Sequence, residues 1–209
     1  MIQKAFKLME QYPSIDRVIR DTPIYAYDKL DGSNIRVEWS RKTGFMKYGS
    51  RTQLIDSSHP FLGSAIPLFN EKYADVLDEL YRKNRFIRVT AFLEYHSPNS
   101  FAGFHADEQH DITLIDTHIY KQGLMLPKEF NQLYKHVPTA KLLYQGNANS
   151  SFVEKVHTGT LPRMTFEGVV CKAGYDNRRR LVAFKIKNQA WLDKLRNRVS
   201  SEEEYKRLM

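Results

Sequence analysis

The sequence predicts an α+β fold of antiparallel sheets flanked by helices, and three observations carry that expectation. Neighbouring strand-like segments are joined by short polar turns, as in hairpins. Helical periodicity falls between such pairs instead of after every strand. No internal repeat, low-complexity tract or linker interrupts the pattern.

The elements read in order as follows. Residues 24–28 (IYAYD) form a strand that runs into a polar turn. Ile35, Val37 and Trp39 then alternate with Arg36, Glu38 and Ser40, the period-two pattern of a half-buried strand. Arg41-Lys42-Thr43-Gly44 turns the chain into a second strand, 45–50, making a hairpin. From Asn70, read as an N-cap, Tyr73, Val76, Leu77, Leu80 and Tyr81 recur at helical spacing. Strands are expected at 85–95 and 111–120. Pro127 opens a helix through Val137, and Ser151 with Glu154 forms the capping-box signature of another. A second hairpin follows: 165–173, a turn at Tyr175-Asp176-Asn177, and 181–188. A helical tail from Gln189 closes the chain.

At 209 residues the chain can bury a sizeable core as one domain, or one domain with a small appendage. Its composition, 42% hydrophobic and 27% charged, is that of a globular protein. No stretch approaches the length needed to cross a membrane. Lys, Glu and Gln break up the N-terminal segment before an apolar run develops, which excludes a secretory signal there. The lone Cys171 allows no intrachain disulfide and no cysteine metal cage. A reducing cytoplasm is the expected location, or the host cytoplasm for a viral chain. Thirty-two Lys and Arg against 24 Asp and Glu give a formal charge of +8, which suits a polyanionic partner such as nucleic acid or nucleotide.

The most informative stretch is Lys29-Leu30-Asp31-Gly32-Ser33-Asn34, set where one strand ends and another begins. A lysine attacks phosphorus only as the neutral amine, so its pKa must be lowered by desolvation or nearby cations. Gly32 allows close approach of a ligand, and Asp31 and Asn34 offer polar ligands. On the later hairpin, Lys185 and Lys187 are two residues apart on one strand and point the same way, into one site. The carboxylates of Glu94 and Glu167 are of the kind that ligate Mg²⁺ or accept hydrogen bonds from sugar hydroxyls. Among the histidines, His96, His105, His110 and His118 show no metal-ligand spacing. The Arg178-Arg179-Arg180 run reads equally as a backbone-binding patch or a solvated turn.

In this order the segments resemble the five motifs of the covalent nucleotidyltransferase superfamily, which comprises DNA ligases, RNA ligases and capping enzymes. KLDGSN is similar to motif I, Ser50-Arg51 to the arginine element after it, and Phe92-Leu93-Glu94 to motif III. Glu167-Gly168-Val169-Val170 is similar to motif IV and Lys185-Ile186-Lys187 to motif V. KLDGSN itself and the YPSID lead-in at Tyr12–Asp16 most resemble phage-type ATP-dependent RNA ligases, in their adenylyltransferase domain alone.

The resemblance implies a nucleotidyltransferase (ATP-grasp-like) domain over residues 1–188, a helical tail over 189–209, and no OB-fold. It implies ATP and Mg²⁺ or Mn²⁺ as cofactors, with Lys29 as the nucleophile that carries AMP. Lys185 and Lys187 would contact the α-phosphate, Glu94 the ribose, and Arg51 the nucleotide or the 5′-phosphate end. Asp28, Asp31, Gly32 and Asn34 would complete the nucleotide contacts, with Glu167 and Asn34 holding the metal through water. Segment 111–116 has no aromatic ring to stack on the base, so Leu114 or Ile112 is expected on one side of the adenine and Val170 on the other. The implied partner is RNA, or nicked nucleic acid, with 5′-phosphate and 3′-hydroxyl ends, and an accessory protein in place of a further C-terminal domain. A DNA nick ligase, a capping-type guanylyltransferase and a non-catalytic nucleic-acid-binding module remain open beside the RNA ligase.

Overall fold

The computed structural model describes residues 9–98, 100–102 and 107–209; His105 lies outside them. In chain order the strands are β1 (Pro23–Asp28), β2 (Gly32–Ser40), β3 (Gly44–Gly49), β4 (Leu54–Ile55), β5 (Arg88–His96), β6 (Asp111–Ile119), β7 (Gly123–Leu124), β8 (Leu142–Asn147), β9 (Gly168–Tyr175) and β10 (Leu181–Lys187). The helices are α1 (Ala65–Phe69), α2 (Asp75–Lys83), α3 (Pro127–Leu133), α4 (Ser150–His157), α5 (Gln189–Arg198) and α6 (Glu202–Leu208), with a π-helical turn at Asn70–Ala74 joining α1 to α2. This is the α+β architecture of antiparallel sheets and flanking helices that the sequence predicts.

Two compact units share these elements. The first comprises Met1–Pro13, Ser33–Tyr95 and His110–Thr139; the second comprises Ser14–Gly32, His96–Gln109 and Ala140–Met209.

The first unit is built on a sheet of order β4-β3-β2-β5-β6-β7. One face of the sheet supplies Ile35, Val37 and Trp39 from β2, Val89, Ala91 and Leu93 from β5, and Ile112 and Leu114 from β6. These pack on Phe69, Tyr73, Leu77 and Tyr81, which recur every fourth residue along α1, the π turn and α2. A spacing of four drifts around an ordinary α-helix, and the wider π turn takes up that drift.

Two expectations change here. The helix starts at Ala65, not Asn70. Pro67 sits in the first turn, where no N–H is required. Asn70 lies inside the helical run, and its Oδ1 accepts the Tyr48 hydroxyl at 2.9 Å instead of capping.

β2 is also buried on both faces. Opposite the core, Arg36 is fully enclosed; its Nε donates to the Ser50 carbonyl at 2.7 Å and its Nη1 to those of Met9 and Glu10 at 3.2 and 3.1 Å. Glu38 on the same face takes an ion pair from Lys47 at 2.8 Å. Hydrogen-bonded charge, not solvent, covers the polar side of this strand.

The second unit is built on a sheet of order β10-β9-β1-β8. Ile24 and Ala26, Val169 and Cys171, and Phe184 and Ile186 form its apolar face, closed by Phe152 and Val156 of α4. The cap of α4 is Asn149, whose side chain accepts the Phe152 N–H at 3.0 Å, and not Ser151. β8 went unpredicted because LLYQGN lacks an alternating pattern; it pairs antiparallel with β1. The tail forms two helices, and Ser201 caps the second through the Glu204 N–H at 3.1 Å.

Arg36→Ala leaves the Ser50, Met9 and Glu10 carbonyls without this donor. It is expected to destabilise the protein by about 3 kcal/mol in urea unfolding. A loss below about 0.5 kcal/mol, the range of ordinary surface changes, would contradict that account of β2.

Candidate active site

Lys29 is the first residue after β1, and the backbone around it is pinned on both sides. The Asp28 N–H donates to Lys141 O at 2.8 Å and the Lys29 N–H to Gly168 O at 2.9 Å. The Asp28 carboxylate accepts the Thr165 N–H at 2.9 Å and its hydroxyl at 3.1 Å, which fixes the segment leading to Glu167. Gly168 has φ +133°, and a Cβ there would stand 2.1 Å from Ile186 O, so only glycine lets β9 lie this close to β10 next to Glu167. The Asn188 N–H completes the frame by donating to Glu167 O at 3.0 Å.

Register then places the side chains. Phe184 and Ile186 turn into the core, so Lys185 and Lys187 share the opposite face. Lys185 pairs with Val170 and Val170 with Tyr27, giving one row across β10, β9 and β1. Lys187 pairs with Gly168, whose carbonyl holds Lys29.

One oxygen links the three motifs in this unit. Glu167 Oε1 is 2.8 Å from Lys29 Nζ and 2.6 Å from Lys187 Nζ. Glu167 and Lys187 are 5% and 8% exposed, whereas Lys29 keeps 22% exposure. Burial alone would raise the Glu167 pKa, but the two ammonium groups outweigh it and hold the carboxyl below its ordinary range. For Lys187, burial is the largest influence and lowers its pKa to about 8; Lys29 and Lys185 push the same way, and Glu167 opposes them. The Lys187 ammonium also lies 3.7 Å from the Trp191 ring centroid and donates to Leu208 O at 3.2 Å.

Asp31, expected as a polar ligand, has both oxygens engaged within the unit. Oδ1 accepts the Phe101 N–H at 2.9 Å; Oδ2 accepts the Ala102 N–H at 3.0 Å and the Trp191 indole N–H at 2.9 Å. Gly32 opens β2 directly after it.

The first unit holds the remaining candidates. Glu94 is half-buried on the β5 face opposite the core, beside Phe92. Tyr12 lies with its ring centroid 5.0 Å from that of Phe92, and its hydroxyl donates to Asp116 Oδ2 at 3.2 Å. Burial raises the Tyr12 pKa, Asp116 and Glu94 add to the rise, and Arg51 opposes it, so these groups lie within electrostatic reach of one hydroxyl. Arg51 is exposed. Asn34 Nδ2 donates to Leu93 O at 3.4 Å, while its buried Oδ1 has no hydrogen-bond partner among the described residues. Leu114 does not match its expected place. It is fully buried in the helix-facing core, with Ile112, because alternation turns both toward Tyr73. Thr113 and Ile115, both half-buried, lie outside that core cluster.

Among the described residues no group of three or more His, Cys, Asp and Glu forms a metal cage. His96 Nδ1 is 3.2 Å from Ser97 Oγ, and His110 stacks on Tyr95. A hydrated Mg²⁺ or Mn²⁺ needs few protein ligands. The Glu167 carboxylate in one unit and the orphaned Asn34 carbonyl in the other are oxygen donors of the type it accepts. Arg178, Arg179 and Arg180 occupy an exposed turn ordered by Asp176, which accepts the Arg178 and Arg180 N–H groups at 2.9 and 2.8 Å.

Two groups of the second unit escaped sequence reasoning. Lys172 is buried with its ammonium 4.9 Å from the Tyr27 ring centroid; its signal was the period-two step from Val170. Trp191, in the tail, carried no signal beyond being a large aromatic shortly after Lys187.

No family model matches the chain, and no curated protein matches it in sequence. Solved structures do match it in fold. A lysine-to-alanine variant of Naegleria gruberi RNA ligase with ATP and Mn superposes with a TM-score of 0.63 at 16% identity, over 91% of this chain and 60% of that one. The same ligase as a glutamate-to-alanine variant with AMP and Mn gives 0.61 at 14% identity, over 90% and 60%. An archaeal ATP-dependent RNA ligase gives 0.61 at 13% identity, over 88% and 49%. The chain thus spans about 60% of the Naegleria ligase it matches. It shares the fold of the matched part of these ligases.

Because Glu167 has a depressed pKa when folded, its pairing stabilises the protein above the ordinary glutamate value of 4.5 and is lost as pH falls through the lower folded value. In chelator-treated protein, Glu167→Gln is expected to be less stable than wild type at pH 7, and the gap should narrow below pH 4.5. Urea midpoints across that range test it; a gap constant down to about pH 3 would refute the pairing.

Proposed function

We propose that the chain is an ATP-dependent RNA ligase, which forms a lysyl-AMP at Lys29 and passes the AMP to a 5′-phosphate end before sealing it to a 3′-hydroxyl. The observation that carries this reading is the buried Glu167 carboxylate bound by both Lys29 and Lys187, in a fold shared with ATP-dependent RNA ligases.

The neutral Lys29 amine attacks the α-phosphorus of ATP. A phosphorus–nitrogen bond forms, the bond to the bridging oxygen breaks, and pyrophosphate leaves with the electron pair. Cationic neighbours favour the neutral amine. Lys29 shares its carboxylate with Lys187, which itself feels the charge of Lys185, so positive charge is crowded around it. In the transition state Lys185 and Lys187 offset the charge growing on the α-phosphate oxygens. Asp28 and Gly168 hold the lysine's backbone in place. Val170, half-buried beside Lys185, faces the base, while Ile115 takes the role expected of Leu114. Glu94 holds the ribose, and Arg51 the nucleotide or the RNA end. Mg²⁺ or Mn²⁺, held through water by Glu167 and Asn34, supplies charge neutralisation at the triphosphate when bound.

The AMP then moves from Lys29 to the 5′-phosphate, giving a 5′-5′ pyrophosphate linkage and freeing the amine. A 3′-hydroxyl oxygen attacks the RNA-side phosphorus, and AMP departs. In this reading residues 1–188 are the catalytic domain, working in the cytoplasm.

Incubation with ATP and Mg²⁺ followed by intact-mass spectrometry should show one added AMP on wild type and none on Lys29→Ala. Absence of the adduct on wild type overturns the proposal; an adduct formed from GTP alone would make it a guanylyltransferase. Sealing of matched nicks with RNA or DNA on the 3′-hydroxyl side decides the polynucleotide, with faster sealing of RNA expected.

A further inference from the structure

The proposed chemistry uses Lys29, Glu167 and the two lysines of β10, but it gives no role to Trp191. This side chain is 1% exposed and packs with Ala102 and Leu195 in the cluster that anchors the tail. Core packing alone does not explain what else it touches. Its indole N–H donates to Asp31 Oδ2 at 2.9 Å, two residues from Lys29. Its ring centroid lies 3.7 Å from the Lys187 ammonium. One rigid side chain therefore contacts both the loop carrying the nucleophile and the cation of β10.

The mounting of that ring is equally specific. Asn188, directly after β10, donates its N–H to Glu167 O, and its side chain accepts the N–H groups of Ala190 and Trp191 at 2.7 and 3.3 Å. The start of α5 is thus set by the same residue that holds the backbone of Glu167. The Lys187 ammonium meets Glu167 Oε1, Leu208 O and the Trp191 ring. An aromatic face attracts an ammonium through its quadrupole, whereas an aliphatic side chain there would leave the charge desolvated and unbalanced. A buried indole asks only for some acceptor, and a neutral carbonyl would serve. Here the acceptor is the motif I carboxylate.

We infer that Trp191 is a positioning residue for nucleotidyl transfer, which fixes the Lys187 ammonium relative to the Lys29 loop and makes α5 part of the catalytic framework. The inference rests on the proposed adenylylation of Lys29.

Single-turnover formation of lysyl-AMP by the full chain, measured over a range of ATP concentrations, tests it. Trp191→Phe keeps a ring beneath Lys187 and loses the bond to Asp31; Trp191→Leu loses both. The leucine variant is expected to lower the maximal rate ~30-fold or more, with ATP half-saturation shifted less than ~3-fold, because misplaced groups slow the chemical step more than they weaken binding. The phenylalanine variant should transfer AMP only ~2- to 5-fold more slowly than wild type. Cooperative unfolding of each variant establishes that it is folded. A folded Trp191→Leu protein that transfers AMP at the wild-type rate overturns the inference, as does a change confined to ATP half-saturation or a Trp191→Phe protein no better than the leucine variant. If Trp191→Leu does not fold, Trp191→Phe decides alone: a rate reduced ~2- to 5-fold at unchanged half-saturation supports the inference, and an unchanged rate overturns it. Failure of wild type to take up AMP at all would instead refute the chemistry at Lys29, an outcome distinct from equal rates.

Discussion

A single carboxylate oxygen serving two ammonium groups is the constraint on which the candidate centre depends. Glu167 is almost wholly buried, and a lone buried carboxylate would be costly. Lys29 and Lys187 make it tolerable, but they overcompensate: two cations meet one anion, with Lys185 within reach as well. The depressed Lys187 pKa reports that surplus together with the burial. Glu167 thus binds two ammonium groups at once, and a third lysine lies close enough to act on Lys187.

The backbone is arranged to protect this oxygen. Gly168 allows β9 and β10 to approach where any side chain would collide, and its carbonyl captures the Lys29 N–H. Asn188 ties Glu167 to the first turn of α5. The first unit solves a similar problem with other means. Arg36 is sealed in, and its Nε and Nη1 donate to backbone carbonyls, binding the segment before Tyr12 to the turn before Arg51. In both units buried charge organises loops, since only a loop that stays put can satisfy it.

What the sequence revealed divides along physical lines. Hairpins were legible because period two and polar turns are local signals, and both main hairpins fall within a few residues of expectation. Lys29, Glu167 and Lys187 were legible because their residue types and order are tied to one chemistry, and the second unit brings all three together. Trp191 and Lys172 were not, because their meaning comes only from what lies across the sheet or at the end of a helix. Arg36 looked like a solvent-facing residue since alternation says which face a side chain takes, not what covers that face. Leu114 failed for the complementary reason: hydrophobicity suggested a base-stacking wall, while register committed it to the core.

The interleaving of the two units along the chain has a consequence for the order in which the protein is made. β1 is synthesised early, yet it lies between β8 and β9, both from the later part of the chain. The central strands β2, β5 and β6 of the first unit emerge before any partner of β1 exists. During vectorial synthesis Lys29 therefore waits on an unpaired strand until Glu167 and then Lys187 leave the ribosome. Pairing across so long a stretch is slow, since loop closure comes before any contact can reward it. Lys29 therefore acquires its charged surroundings among the last events of biogenesis, and a nascent or truncated chain carries this lysine without the Glu167 and Lys187 groups that surround it when folded.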